Sequence, residues 1–416
     1  MSATHRRRDT CRLCGAAQLE MVLPMAATPV GDAYISAEYL DKPQEIFPLD
    51  LWLCRNCGLA QLAEVVDPEV LYVEYPYLTS ISLGLPEHFR QYAKEVLGRI
   101  EPPQGALVVD IGSNDGSLLK AFGDCGMRVL GIDPARDASR LANQRGIETL
   151  TGFFSGDLGR RLRLERGPAA VITANNVFAN IDNVDDLIEG VRAWLAPDGV
   201  FVFETSYLSD VIEKTLVETI FHEHLSYFSL KPLQHFFQRS SMELIDVQRV
   251  STKGGSIRCT VQLAGGKRRV APSISETISY ENQIGVHAPE AFNRLRARLD
   301  TVKSDLLRVL RDLKAHGKTL AGYGASVGVV TLLYELELCE LLDFLVDDNT
   351  RKQNTFTPGH HIPVFAPHAI YDRKVDALLI LAWAYAEPIM TKHPAFFQSG
   401  GEFIIPLPEV KVIQKT

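Results

Sequence analysis

From about residue 84 the chain alternates between two hydrophobic rhythms. Phe89, Tyr92, Val96 and Leu97 recur at steps of three, four and one, which gathers apolar side chains on one face of a helix. The run at 106–111 is apolar apart from Asp110, as expected of a parallel strand buried on both faces. Short apolar runs follow at 128–132, 169–172 and 199–204, with helical patterns between them. This alternation predicts a doubly wound α/β sheet. Two further strands, 243–250 and 256–263, flank the turn-like "STKGG". Lys267, Arg268 and Arg269 open a polar stretch to about residue 285, and Phe292, Leu295, Leu299, Val302, Leu306, Leu310 and Leu313 then mark a long amphipathic helix. It feeds "KTLAGYGASVGVVTLLYEL", a second strand, turn and helix, and with it a second Rossmann-like α/β unit.

Length divides the pattern further. A chain of 416 residues exceeds the roughly 250–300 that one core usually fills, so several units are expected: 1–80, 81–285 and 286–416. Hydrophobic content of 46% and charged content of 23% describe an ordinary globular protein. A net charge of −8, with Arg6 to Arg8 as the one short basic run near an end, argues against a nucleic-acid surface. There is no run of 18 apolar residues and no signal-peptide core, so a cytoplasmic protein without a membrane partner is expected, and a monomer.

Four of the seven cysteines fall into two pairs, Cys11-x-x-Cys14 and Cys54-x-x-Cys57, each followed by glycine. Converging thiolates with glycines that permit tight turns are the ligand pattern of a tetrahedral, structural zinc site. The long gap between the pairs requires the intervening segment to fold as an insert. Cys125, Cys259 and Cys339 stand alone and read as small core residues.

Two glycine-rich turns carry different weight. In "LVVDIGSNDGSLL" a strand ends at Asp110 and is followed by Gly112, Asn114, Asp115 and Gly116, then a helix, with Asp133 closing the next strand. The glycines allow a ligand close to the backbone, and Asp133 can accept ribose hydroxyls. Acidic residues near the turn suit an amino acid and a cationic sulfonium better than a pyrophosphate, which favours S-adenosylmethionine over NAD. The second turn, Gly322 to Gly328, is spaced G-x-G-x-x-x-G and precedes Asp347 and Asp348. It departs from the dinucleotide fingerprint and reads as a half-site for a substrate nucleotide or as a structural turn.

The stretch "TIFHEHLSY" gathers His222, Glu223, His224 and Tyr227. Its histidines lie two apart, not four as in a zinc-binding helix, so a shared metal is disfavoured. Tuned acid and base chemistry is favoured over a solvated polar corner, because imidazole titrates near neutrality and a carboxylate can orient it. Tyr75 and Tyr77 can complete such a site from another unit, although such tyrosines more often serve packing.

The two cysteine knuckles, "DIGSNDGSLL", "NNVFA", "HEHLSY", "GGSIR" and "GYGAS" occur in that order over nearly the whole chain. In these motifs the sequence resembles the three-domain, zinc-containing sugar C-methyltransferases that act on nucleotide-linked 4-keto deoxyhexoses. It looks closest to the branch that methylates C3′ of a dTDP-linked 3-amino-4-keto sugar in D-tetronitrose formation. The resemblance implies a deoxysugar-modifying enzyme of antibiotic biosynthesis. It implies that His224 is the base that takes the C3 proton to give an enolate, with Glu223 as its escort and Tyr75 near the sugar. Asn175 would join the cofactor residues, and Asn176, Ser256, Arg258, Tyr323, Arg351 and Lys352 would contact sugar and diphosphate. Asn180 and Phe221 stand where the family usually carries histidine and tyrosine. Both changes delete a proton carrier while nearly keeping shape, as in an engineered double variant, with natural divergence as the alternative; either would slow turnover. A nicotinamide oxidoreductase and a zinc-ribbon adaptor without chemistry are the rival readings.

Overall fold

The computed structural model describes residues 4–75, 77–81 and 84–415. Its central sheet has seven strands in the order Met242–Val250, Ser256–Leu263, Leu195–Ser206, Ala169–Asn175, Leu107–Ile111, Arg128–Asp133 and Thr149–Thr151. The last five are parallel, and Ser256–Leu263 lies antiparallel between its two neighbours. Successive side chains go to opposite faces: Val108, Val171 and Val202 join a cluster with Phe89, Tyr92 and Phe122, whereas Val109, Ile172 and Phe203 join Ile188, Trp194 and Phe237. Covering both faces is what makes the strand runs continuously apolar. The chain steps from Leu107–Ile111 outward to one edge, then returns to set Ala169–Asn175 on the other side. Where that order reverses, the connections diverge and leave a crevice at the carboxyl ends of the strands.

The C-terminal sheet also has seven strands, ordered Thr355–Phe356, Pro363–Phe365, Phe344–Val346, Leu320–Tyr323, Ala377–Ile380, Glu402–Ile405 and Lys411–Ile413. Its inner five strands are parallel and its two edges antiparallel. A third sheet pairs Leu19–Leu23, Leu51–Cys54 and Ala60–Leu62 with a fourth strand from far along the sequence, Ser226–Tyr227. Leu23, Leu51 and Leu62 of this sheet share one hydrophobic cluster with Ile220, with Phe292 and Leu295 of the long helix Pro289–Ala315, and with Leu332 and Leu345 of the C-terminal unit. The N-terminal and C-terminal parts are therefore joined through a common core. The insert at 24–50 continues this contact, since Ile35 bridges Phe356 and Lys352 ion-pairs with Asp32.

Two expectations need correction. Cys259 is fully buried and Cys339 is half-buried against the shared core, but Cys125 is half-buried and joins no hydrophobic cluster among the described residues. The Thr149–Thr151 strand was not marked by the hydrophobic pattern, because three residues at a sheet edge are too few to set up a rhythm. Among the described residues no helix is long and apolar enough to cross a membrane.

Candidate active site

The N-terminal knuckles converge as their glycines allow. Gly15 and Gly58 take φ of 73° and 87°, and their N–H groups donate to the carbonyls of Cys11 and Cys54 at 2.9 Å. The four sulfurs all lie within 4.8 Å of one another, with Cys11 and Cys57 at 3.5 Å and Cys14 and Cys54 at 3.6 Å. Zinc–sulfur bonds of about 2.3 Å in a tetrahedron put sulfurs about 3.8 Å apart, so the cluster fits a zinc ion held by four thiolates with no open position. Arg12, between the first two cysteines, is buried and carries this centre's geometry outward. Its guanidinium donates to the carbonyls of Leu62 (2.5 Å) and Leu225 (3.0 Å) and to the carboxylate of Asp182 (2.9 Å). Leu225 follows His224 directly, so the zinc knuckle grips the histidine segment.

A cleft of ≈ 410 Å³ opens at the sheet's switch point. Gly112, Ser113 and Asn114 of the first turn line it, with Asp133, Asn175, Asn176 and Asn180. Gly112 sits at φ 71°, and a Cβ there would stand 2.2 Å from a methyl of Val177, so the turn admits glycine alone. Asp133 accepts the Asn114 N–H at 2.7 Å and the Ala135 N–H at 2.8 Å, one on each oxygen, which leaves lone pairs for ribose hydroxyls. Burial raises the carboxyls of Asp133 and Asp110, the latter to about 7 against the opposing hydroxyl of Thr173 at 2.6 Å. Both polar atoms of the Asn175 side chain and the hydroxyl of Ser113 are buried without a hydrogen-bond partner. A polar ligand would satisfy them. Acids, orphaned polar atoms and a glycine cradle together fit S-adenosylmethionine.

Two residues assigned to the cofactor do something else. Asp115 accepts from the Ser80 N–H (3.0 Å), the Ser117 hydroxyl (2.6 Å) and Arg145 (3.2 Å), and its side chain is fully buried behind the turn. A Cβ on Gly116 would meet Ile147, on the same far side. Neither lines the cleft. The Asn114 side chain likewise fastens chain, accepting from the Thr79 N–H and donating to the Tyr77 carbonyl. Through these bonds Tyr77, Thr79 and Ser80 are laid along the cofactor turn, and Tyr72, Tyr75 and Tyr77 line the cleft.

The segment 219–227 is almost wholly buried, which removes the solvated-corner reading. The ring Nδ1 of His224 lies 2.8 Å from the Thr219 carbonyl. A carbonyl only accepts, so Nδ1 carries the hydrogen and Nε2 keeps its lone pair. Burial, and then the charge of Lys253, push this imidazole down to about 3 against the opposing Thr219 carbonyl, so it is neutral at every physiological pH. Glu223 is pushed the other way, to about 7, by burial and by Asp32; it accepts the Tyr75 hydroxyl at 2.9 Å. His222 donates from Nε2 to the Phe47 backbone carbonyl at 3.3 Å and packs on the Phe47 ring. The Phe221 ring lies 4.0 Å from the His224 imidazole, and Asn180 presents a buried, unpartnered Oδ1 at the cleft.

The expected sugar contacts divide. Asn176, in the left-handed region at φ 55°, lines the cleft. Arg258 does not: it faces Glu204 across the sheet, bonds it at 3.1 Å, reaches Glu95 at 2.7 Å and stacks 4.1 Å over Tyr92. Ser256 is buried in the same strand and donates to the Thr252 carbonyl. Tyr323 donates to Asp348 at 2.8 Å, and Lys352 is held by Asp32 over the Tyr34 ring, so both are committed within the C-terminal unit and the insert. The backbone N–H of Arg351 donates to the Asn349 side chain. These five do not line the cleft. Lys253 does, and sequence reasoning missed it; the available signal was a lysine in front of two glycines at a hairpin tip.

Glu223 makes a prediction with a definite sign. Its folded pKa lies above the unfolded value, so its contribution to stability is complete below about pH 4.5 and is lost as pH rises through about 7. Glu223→Gln should therefore melt higher than the parent at pH 8, by on the order of 3 kcal/mol of stability, with the gap closing toward pH 5. Paired thermal melts at the two pH values measure it.

Residues 11–72 match a family described as a zinc binding domain, 86–247 a methyltransferase domain, and 251–408 a C-methyltransferase C-terminal domain. The chain is 34% identical over 406 residues to the C-methyltransferase NovU of Streptomyces niveus, covering 97% of each. It is 23% identical over 159 residues to a ubiquinone biosynthesis O-methyltransferase of Burkholderia thailandensis, 35% of this chain and 68% of that one. Among solved structures, the glycopeptide N-methyltransferase MtfA complexed with S-adenosylmethionine covers 42% of this chain and 93% of its own at 13% identity, with a TM-score of 0.34.

Proposed function

This chain belongs to the S-adenosylmethionine-dependent C-methyltransferases that carry a zinc-binding unit, and from that premise we propose that it methylates C3 of a dTDP-linked 3-amino-4-keto deoxyhexose. A hydrogen on the carbon beside a ketone is the one a weak base can remove, because the electrons left behind delocalise onto oxygen. His224 takes that proton on Nε2; the C3–H electron pair becomes the C3=C4 bond and the carbonyl pair moves to O4. Gly112, Ser113, Asp133 and Asn175 would hold S-adenosylmethionine, which when bound would offer its methyl as the electrophile for C3. Glu223 holds the Tyr75 hydroxyl at the cleft wall, where it orients the sugar. The C-terminal unit takes the nucleotide beside its Gly322–Gly328 turn.

The observation that carries this reading is the fixed tautomer of His224. A neutral imidazole with its lone pair reserved on one nitrogen, in a buried segment that leads into the Ser226–Tyr227 strand of the N-terminal sheet, is arranged to accept a proton and not to donate one. The test is proton exchange at C3 of the dTDP-linked 3-amino-4-keto sugar in heavy water without cofactor, followed by NMR. Loss of the C3 signal is expected. Exchange at C5 alone, or none, contradicts the reading.

A further inference from the structure

Moving the C3 proton onto His224 leaves a full negative charge on O4, and a buried oxyanion needs a partner. None of the residues assigned above supplies a cation on that side of the cleft. The hairpin between Met242–Val250 and Ser256–Leu263 does. At its tip Lys253 takes φ 51°, a left-handed conformation that costs a non-glycine residue and persists only where the surroundings impose it. They do: Thr252 donates to Glu204 at 2.7 Å, and a Cβ on Gly255 would strike the Asp210 carboxylate at 2.4 Å, so the glycine lets the tip sit tight against the fold. The result is that Lys253 lines the cleft from the hairpin tip and is open to solvent there.

Its charge partners locate it. Lys253 interacts with Glu223 and Glu204, and it acts on His224. Asp110 and Asp133, at the cofactor turn, do not register it. The ammonium therefore lies toward the wall of the cleft backed by Glu223 and His224, which stand behind the lining; Tyr75, which donates to Glu223, is part of the lining itself. Glu204 is already shared among His88, Thr252 and Arg258, and of the two carboxylates Glu223 acts the more strongly on Lys253.

We propose that Lys253 is a catalytic residue whose ammonium faces O4 of the keto sugar and stabilises the enolate oxyanion. The role rests on the keto-sugar reading above. It also explains how a histidine of low basicity can work as a base: the enolate charge appears in the same step as the imidazolium, and the ammonium attracts that charge and so offsets its own repulsion of the imidazolium. No oxidant or further reactant enters the step. The proton passes from C3 to Nε2, and the electron pair ends on O4 beside the ammonium.

The test is C3 exchange in heavy water on the full chain without cofactor, comparing the parent with Lys253→Gly and Lys253→Arg. Glycine suits the positive φ, so the hairpin stays formed while the charge goes; melting temperature and S-adenosylmethionine affinity should stay at parental values. Exchange should fall by about 10²-fold in Lys253→Gly, the scale for removing one oxyanion partner, and recover in large part in Lys253→Arg. Parental exchange in Lys253→Gly overturns the role, as does an arginine variant no better than glycine. No exchange by the parent overturns the keto-sugar reading itself, and with it this role.

Discussion

Replacing His224 with asparagine is expected to lower C3 exchange and methyl transfer together by about 10²- to 10⁴-fold, with S-adenosylmethionine binding retained. Asparagine is the informative choice because its amide can still donate to the Thr219 carbonyl, as Nδ1 does at 2.8 Å. Alanine would leave that buried carbonyl unpaired, at a cost of about 1–3 kcal/mol, and would confuse lost chemistry with lost structure. What asparagine removes is Nε2. Because burial and Lys253 already hold the imidazole neutral, the parent's rate should show no acid limb from His224 near its ordinary pKa. A limb near pH 7 belongs to Glu223, whose ionisation strengthens the hydrogen bond it accepts from the Tyr75 hydroxyl. Single-turnover rates and exchange rates for parent and variant across pH 5–9 check both statements.

Removing the zinc should act at a distance through the strand that leaves the histidine segment. Ser226–Tyr227 pairs with Ala60 and Gln61, and Arg12 holds the Leu225 carbonyl from inside the first cysteine knuckle. Cys54→Ser takes one thiolate from a site whose binding energy is also folding energy. The expected result is loss of bound metal, a melting temperature lower by about 10 °C or more, and turnover reduced by more than about tenfold. The affinity for S-adenosylmethionine should change far less, because Gly112, Asp133 and Asn175 belong to the central sheet and not to the zinc unit. Metal content by atomic emission, thermal melts and binding titrations separate these effects.

What the sequence disclosed, and what it hid, follows from the range of the interactions involved. The strands at 106–111 and 169–172, the glycine turn and the paired knuckles are local patterns, each set by a few neighbouring residues, and they are where the sequence places them. Pairing across the fold is not local. Nothing near residue 226 announces a partner at residue 61, and that pairing positions His224. The resemblance implied Arg258 as a substrate contact, but its face is fixed by the register that sets it opposite Glu204. The partner of Lys352 is equally remote in sequence: the Asp32 that pairs with it comes from the insert between the knuckles. Asp115 was read as a cofactor ligand from its place beside Asn114, yet a side chain's direction within a turn depends on backbone angles that spacing does not encode. Lys253 was hidden by the opposite effect, since "STKGG" reads as an ordinary turn unless one knows that it closes over a cleft.

The most direct measurement of the central claim is where the methyl group goes. The full chain is incubated with carbon-13 methyl-labelled S-adenosylmethionine and the dTDP-linked 3-amino-4-keto deoxyhexose, and the product is read by NMR. The label is expected on a new carbon–carbon bond at C3, with the C3 proton lost to solvent. A label on the amino nitrogen or on a hydroxyl oxygen, with the C3 proton still in place, would contradict the account.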